Sequence, residues 1–200
     1  MSVSQTASVN QVRQSGGELG ALLDELRAVT EDAREVFGRL SAAQLNWKPS
    51  PESWSVGQCF DHLIATNRTF FADMERVAAG RHRASLWGRV SPLSGLFARM
   101  ILKSLDPSKG RKTKAPRVFQ PASSDIAPDV FERFEKHQGE LAARMRATAG
   151  VDLARTNVTS PVAAVATYSL LDAYRIVVAH ERKHFEQARR VTETEGFPRG

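Results

Sequence analysis

Two histidines near the carboxyl end are the residues of this chain best suited to chemistry. They lie on a helical seam in steps of three and four: Leu170, Ala173, Val177, His180, His184, Gln187 and Val191. Residues four apart share one face of a helix, so both imidazoles are expected to point into the interior. A buried imidazole without a partner costs about 1–3 kcal/mol, and a metal ion can satisfy two such nitrogens. Hydrogen bonds from ordinary core neighbours are the alternative.

The same segment matches the H-E-x-x-H pattern of zinc proteases, but we do not assign the chain to that class. Those enzymes take a third ligand downstream, whereas only 16 residues follow His184 and no H-x-x-G-x-x-H continuation is present. Glu181 lies about 70° from the centre of the seam. We therefore expect Glu181 on a solvated flank, and a catalytic role as general base is the alternative.

A third ligand would have to come from elsewhere, and three histidines remain. His62 lies about 100° from the centre of the apolar stripe of its own helix, and His137 lies about 75° from its stripe. His82 falls in a basic segment between helices. Helical periodicity alone does not choose among the three.

The elements that must position these side chains are four long amphipathic helices. They are predicted at about residues 18–40, 55–79, 124–149 and 170–195, with one or two short helices at 84–105 and a loop at 106–122. Ser41, Ser55 and Ser169 each begin a capping pattern. Strand character is confined to 157–167, where Pro161 argues against a strand. The fold class is therefore predicted as all-α, a four-helix bundle.

The stripes of the two middle helices are the faces expected to point into the bundle. The second helix has Val56, Phe60, Leu63, Asn67, Phe70, Met74 and Val77, and the third has Phe131, Phe134, Gln138, Leu141 and Met145. The domain organisation follows from the helices. Residues 1–16 are predicted as a flexible N-terminal tail, and 17–200 as a single domain.

The composition indicates a globular protein of 200 residues with a formal net charge of +6. A single cysteine excludes an internal disulfide framework. The sequence has no signal peptide pattern and no run long enough for a membrane span, so a soluble cytoplasmic protein is expected. Residues 80–120 hold ten basic residues and one acidic residue. We interpret this segment as a solvated insertion, with binding to nucleic acid or an anionic surface as the alternative.

Two motifs give the chain a family resemblance. The segment Trp54-Ser-Val-Gly-Gln-Cys-Phe-Asp-His62-Leu resembles the W-S-x-x-[EQ]-x-x-x-H-L signature of the DinB-like superfamily. The closing helix carries that superfamily's H-x-x-x-H followed by a glutamine, here His180, His184 and Gln187. The order of the parts also matches, including the proline-rich segment between Trp47 and Trp54.

The resemblance implies an up-down-down-up four-helix bundle with a helical or loop insertion in the middle. It also implies a divalent metal, zinc or nickel, with His62, His180 and His184 as its ligands. Known activities of the superfamily include transfer of low-molecular-weight thiols such as bacillithiol or mycothiol to electrophiles, a thiol-dependent isomerisation, and metal-dependent hydrolysis. The implied partners are a small-molecule substrate and a second copy of the chain in a homodimer.

Four further residues are candidates for the pocket, each with a structural alternative. Asp61 could orient the adjacent imidazole or could favour the first turn of its helix as an exposed carboxylate. Gln187 could line the pocket or fill the core, and for Tyr174 and Trp54 we favour core packing over a pocket wall. Cys59 could be a fourth ligand, but a small buried apolar side chain is the preferred interpretation.

Overall fold

The computed structural model describes residues 3–82, 94–106, 125–161 and 163–199. The helices are α1 (Val3–Phe37), α2 (Ala42–Asn46), α3 (Val56–Arg68), α4 (Phe71–Ala78), α5 (Ser94–Leu105), α6 (Val130–Ala147) and α7 (Leu170–Thr192). Two short strands, β1 (Asn157–Ser160) and β2 (Ala163–Ser169), precede α7. Helices α1 and α3 each pack against both α6 and α7, which makes a four-helix bundle and confirms the predicted fold class.

Ion pairs between the helices give their directions. Glu18 and Asp32 of α1 pair with Arg175 and Arg182 of α7 in the same order, so α1 and α7 run parallel. Asp61 of α3 pairs with Arg133, and Glu75 of α4 pairs with Arg144, so α3, α4 and α6 also run parallel to one another.

The apolar core gives the direction of α3 and α4 relative to α7. The start of α3 shares a cluster with the end of α7, and α4 shares a second cluster with the start of α7. The α3–α4 and α7 directions are therefore antiparallel. The topology is up-down-down-up.

Local sequence signals fix the start of α3, which carries His62. The Ser55 side chain accepts the Gln58 backbone N–H, and the Gln58 side chain accepts the Ser55 backbone N–H, which is a complete capping box. Gly57 permits a close approach here. A Cβ atom at this position would lie 3.0 Å from Cβ of Ile126 and 3.2 Å from the Leu45 carbonyl oxygen.

The helix boundaries differ from the predicted ones in two places. Helix α1 begins at Val3, so helical backbone extends into the segment predicted as a tail. The predicted helix at 55–79 is divided into α3 and α4, because the Phe70 N–H binds the Asn67 carbonyl three residues back instead of continuing the α-helical pattern. The Thr69 hydroxyl also donates to the Thr66 carbonyl at 2.6 Å and competes for that acceptor.

The two strands correct the expectation that 157–167 would form no strand. They pair antiparallel, with Val158 opposite Tyr168 and Thr159 opposite Thr167. Pro161 lies in the turn after β1, where its missing N–H removes no hydrogen bond of the ladder. The predicted loop at 106–122 and most of the basic segment at 80–120 lie outside the described residues. None of the helices in the described ranges is long and apolar enough to cross a membrane.

His137 of α6 is buried although its wheel position did not require it. Its ring stacks on Phe71 at 5.2 Å between centroids, and neither ring nitrogen has a hydrogen-bond partner within the described part of the chain. Burial lowers the pKa of His137 to about 4, helped by Arg68 and Arg144 and opposed by Glu140. The imidazole is therefore uncharged at neutral pH and packs in the core like an apolar side chain.

We expect His137→Leu to reduce the acid sensitivity of the fold. A group whose pKa is depressed on folding binds more protons in the unfolded state, so its contribution to stability is intact above pH 6.5 and is lost as the pH falls towards 4. The contribution is at most about 3 kcal/mol. Urea denaturation of both proteins between pH 7.5 and 4 should show a smaller fall in the free energy of unfolding for the variant. An identical pH dependence in both proteins would contradict the lowered pKa of His137.

Candidate metal centre

The structure brings three imidazoles from two helices to one point inside the bundle. Nε2 of His180 lies 3.2 Å from Nε2 of His62 and 3.0 Å from Nε2 of His184. One ring nitrogen from each of the three lies within 4.8 Å of the other two. His62 and His184 are buried, whereas His180 is partly exposed. This is the arrangement expected for a site that can hold a metal ion and be reached from one side.

Each imidazole is placed by a different part of the chain. His62 lies in the second turn of α3, downstream of the capping box, with the Thr66 hydroxyl 3.4 Å from its Nδ1. His180 and His184 lie on consecutive turns of α7. Trp54, from the loop before α3, stacks on His184 at 5.6 Å between centroids and contacts His62 at 4.9 Å. The indole also packs against the apolar cluster at the start of α3, as the sequence favoured, so it contacts both the core and the histidine rings.

Burial keeps two of these rings, those of His180 and His184, neutral. Desolvation lowers the pKa of His180 to about 3, and His62 and Lys183 act in the same direction. Burial also lowers the pKa of His184 well below its usual value, while the Gln187 side chain opposes this shift. A neutral imidazole presents the lone pair that a metal requires. Gln187 therefore lies close enough to His184 to influence its protonation.

The spacing of the nitrogens fits a transition metal. Two nitrogens bound to zinc at about 2.0–2.1 Å, at a tetrahedral angle, lie roughly 3.3 Å apart. The separations of 3.2 and 3.0 Å agree with that value. Three neutral nitrogen ligands that leave a coordination position open are typical of catalytic zinc sites. The residues present therefore fit a divalent ion such as zinc or nickel.

Glu181 does not lie on a solvated flank, and that expectation was wrong. The residue is 0 % exposed. Its two carboxylate oxygens accept hydrogen bonds from Asn67 Nδ2 at 2.7 Å and from Gln138 Nε2 at 2.6 Å. Burial raises the pKa of Glu181 to about 8, against the opposing effect of the two amide donors. Both oxygens are thus engaged with amides, which gives no support to a role as general base.

The sequence did not predict that Asn67 and Gln138 belong to this network. The signal was present, because each is the single polar residue on an otherwise apolar stripe. A polar side chain at such a position must find a buried hydrogen-bond partner. The partner could not be identified from periodicity, since Glu181 itself lies off the centre of its seam.

Asp61 and Tyr174 make their contacts away from the histidine cluster. Asp61 Oδ1 accepts a hydrogen bond from Arg133 Nη1 at 3.2 Å and so connects α3 with α6. The Tyr174 hydroxyl lies 2.8 Å from Oγ1 of Thr148, and the ring is fully buried in the apolar cluster at the start of α7. Six residues of helix, about 9 Å, separate Tyr174 from His180. Tyr174 therefore packs in the core.

Cys59 behaves as the small buried apolar residue that the sequence favoured. It belongs to the cluster at the start of α3, and it is not among the residues whose ligand atoms converge. Burial raises the pKa of the Cys59 thiol to about 12, although Arg190 acts in the opposite direction. The thiolate needed for nucleophilic attack or metal binding is therefore disfavoured.

We expect the Cys59 thiol to be inert in the folded protein. At pH 8, a thiol-specific disulfide reagent should modify native protein far more slowly than the same protein unfolded in guanidinium, because the thiolate and the access are both missing. Since the chain has one cysteine, the absorbance change reports this residue alone. Rapid stoichiometric modification of native protein would show that Cys59 is accessible.

Comparison with known proteins agrees with this architecture. The family model of the DinB superfamily matches residues 25–188, a range that contains all three converging histidines. No curated protein and no solved structure matches the chain. Because the matched range covers most of the chain and the bundle has the expected topology, the protein belongs to the DinB superfamily.

Proposed function

We propose that the protein is a divalent-metal-dependent enzyme that acts on a small molecule. In this proposal His62, His180 and His184 hold one zinc or nickel ion. The enzyme transfers a low-molecular-weight thiol to a small electrophile or hydrolyses a small substrate. The single observation that carries the proposal is the convergence of three Nε2 atoms, at 3.2 and 3.0 Å, inside the bundle.

The chemistry of the donor set supports catalysis. When bound, a divalent ion would supply Lewis acidity that holds a small thiol as its thiolate or lowers the pKa of water to about 7. The chain contributes three neutral ligands and leaves room at the partly exposed His180 for a substrate to approach. Trp54 contributes an aromatic wall against two of the rings, which excludes water from that side.

The charge near the site suggests how a substrate is held. Lys183 is partly buried on the turn between His180 and His184, and its Nζ donates to the Ser104 carbonyl of α5 at 3.2 Å. Its positive charge acts on both imidazoles. Gln187 adds an amide beside His184. We assign these residues to binding and positioning, and no residue to the role of general base.

The alternative in which the protein is a non-catalytic binding module rests on the basic segment at 80–120, which lies mostly outside the described residues. The homodimer and the cytoplasmic location remain expectations. The metal site itself can be tested without knowledge of the substrate.

We expect purified, untagged protein incubated with zinc or nickel to retain about one ion per chain after desalting. His180→Ala and His62→Ala should retain far less, because two nitrogens hold a divalent ion much more weakly than three. His137→Leu is the matched control, since it removes a buried histidine outside the cluster and should bind metal like the wild type. Elemental analysis measures all four proteins. Wild-type protein without metal would refute the proposal.

A second measurement separates an enzyme from a structural metal site. The metal-loaded wild type, supplied with a low-molecular-weight thiol and an electrophilic acceptor, should conjugate the two faster than metal-loaded free histidine at the same concentration. His180→Ala should lose at least about tenfold of this rate, because transition-state stabilisation depends on the intact ligand set. Ester substrates test hydrolysis in the same way. A large metal-dependent rise in melting temperature, with no turnover of any substrate class, would favour a structural role.

A further inference from the structure

We propose that Glu181 is a positioning residue that fixes the rotation of α7 and thereby aims His180 and His184 at His62. The proposal rests on the proposed metal site and assigns a role to the buried carboxylate beside it. Its basis is geometric: a fully buried side chain with one hydrogen bond to each of two other helices.

The carboxylate lies in a polar layer between the two apolar clusters of the bundle. On α3, Leu63 belongs to one cluster and Phe70 to the other, with Asn67 between them. On α6, Phe134 and Leu141 flank Gln138 in the same way. Glu181 of α7 meets both amides in this layer. The layer therefore connects three of the four bundle helices at one level.

The two hydrogen bonds hold α7 from two directions. Asn67 Nδ2 donates to Oε1 from α3, and Gln138 Nε2 donates to Oε2 from α6. If α7 rotated by one residue, about 100°, both bonds would be lost and a buried carboxylate would remain without partners. Such a state is strongly disfavoured. The network thus defines one rotational setting of the helix.

That setting determines where the imidazoles point. His180 directly precedes Glu181 in the chain, and His184 lies one turn beyond His180. Asn67 lies on the same helix as His62, so the bond from Asn67 to Glu181 connects the two helices that carry all three rings. Metal sites tolerate distance errors of only about 0.2 Å. A hydrogen bond between the two helices, close to the ligands, supplies this accuracy.

Stability alone does not explain a carboxylate here. Replacing a buried hydrogen-bonded group and its partners by well-packed apolar residues of the same shape can be nearly neutral or stabilising. An apolar side chain, however, has no directional bond and would permit α7 to turn or slide by small amounts. The buried carboxylate with two amide donors is therefore best explained as a group that positions the metal ligands. Residues that contact metal ligands from behind commonly have this role.

The experiment compares Glu181→Met, Glu181→Gln and the wild type. We expect Glu181→Met to fold cooperatively and to bind zinc about 10- to 100-fold more weakly, as measured by competition with a chromophoric chelator. The cobalt-loaded variant should also show altered visible absorption bands, which report ligand geometry. Glu181→Gln should stay close to the wild type, because the unpartnered oxygens of Asn67 and Gln138 let either amide flip to accept its N–H.

Thr148→Val is the matched control for lost stability. Thr148 follows α6, and the substitution removes its buried hydrogen bond to the hydroxyl of Tyr174. Tyr174 lies on α7, the helix that carries Glu181, but away from the metal ligands. We expect it to lower the melting temperature and to leave zinc affinity and the cobalt spectrum unchanged. If Glu181→Met does not fold, Gln138→Met provides the same test, with a smaller loss because the bond from Asn67 remains.

The outcomes distinguish this proposal from the proposed function. Wild-type zinc affinity and an unchanged cobalt spectrum in Glu181→Met would overturn the positioning role and leave the metal site intact. Absence of metal from the wild type would refute the proposed function. In that case the histidine ring resonances of the metal-free proteins decide: shifts in Glu181→Met but not in Thr148→Val support positioning, and identical resonances overturn it.

Discussion

Polar groups are buried among apolar side chains in the middle of the bundle. The architecture depends on the hydrogen-bond partners that these polar groups find there. An apolar cluster lies at each end, the Glu181 carboxylate lies between them, and the three imidazoles are carried by the same two helices that its bond to Asn67 connects. A polar group in such surroundings needs a directional partner, because its desolvation is not otherwise compensated. The amides of Asn67 and Gln138 provide that partner for the carboxylate. The same requirement makes the converging imidazoles a candidate metal centre.

The bundle topology gives this layer its contents. Helices α3 and α7 run antiparallel, so residues 118 positions apart in the chain meet at the same height. The capping box of Ser55 begins α3 at a defined residue, and the ion pairs of α1 with α7 resist sliding of the helix that carries two of the rings. The loop that follows Trp47 returns Trp54 against the same rings. Packing at the periphery thus serves the geometry at the centre.

The chemistry of the site follows from burial. Desolvation disfavours the imidazolium forms of His180 and His184, so these two rings offer lone pairs instead of positive charges. Burial also raises the pKa of Glu181 to about 8, against the opposing effect of the amide donors of Gln138 and Asn67 and of the Arg182 charge.

The sequence by itself determined the helices, their caps, the seam that carries His180 and His184, and, through two motifs, the family and the third histidine. These features are local, because periodicity and capping depend on residues within one or two turns. Only the tertiary structure decided that Glu181 is buried, that Asp61 pairs with Arg133, and that 157–169 contains a hairpin. Each of these depends on which distant segment packs alongside. A helical wheel shows which side chains share a face, but the burial of a residue off the apolar stripe, such as Glu181, depends on the helices that pack beside it.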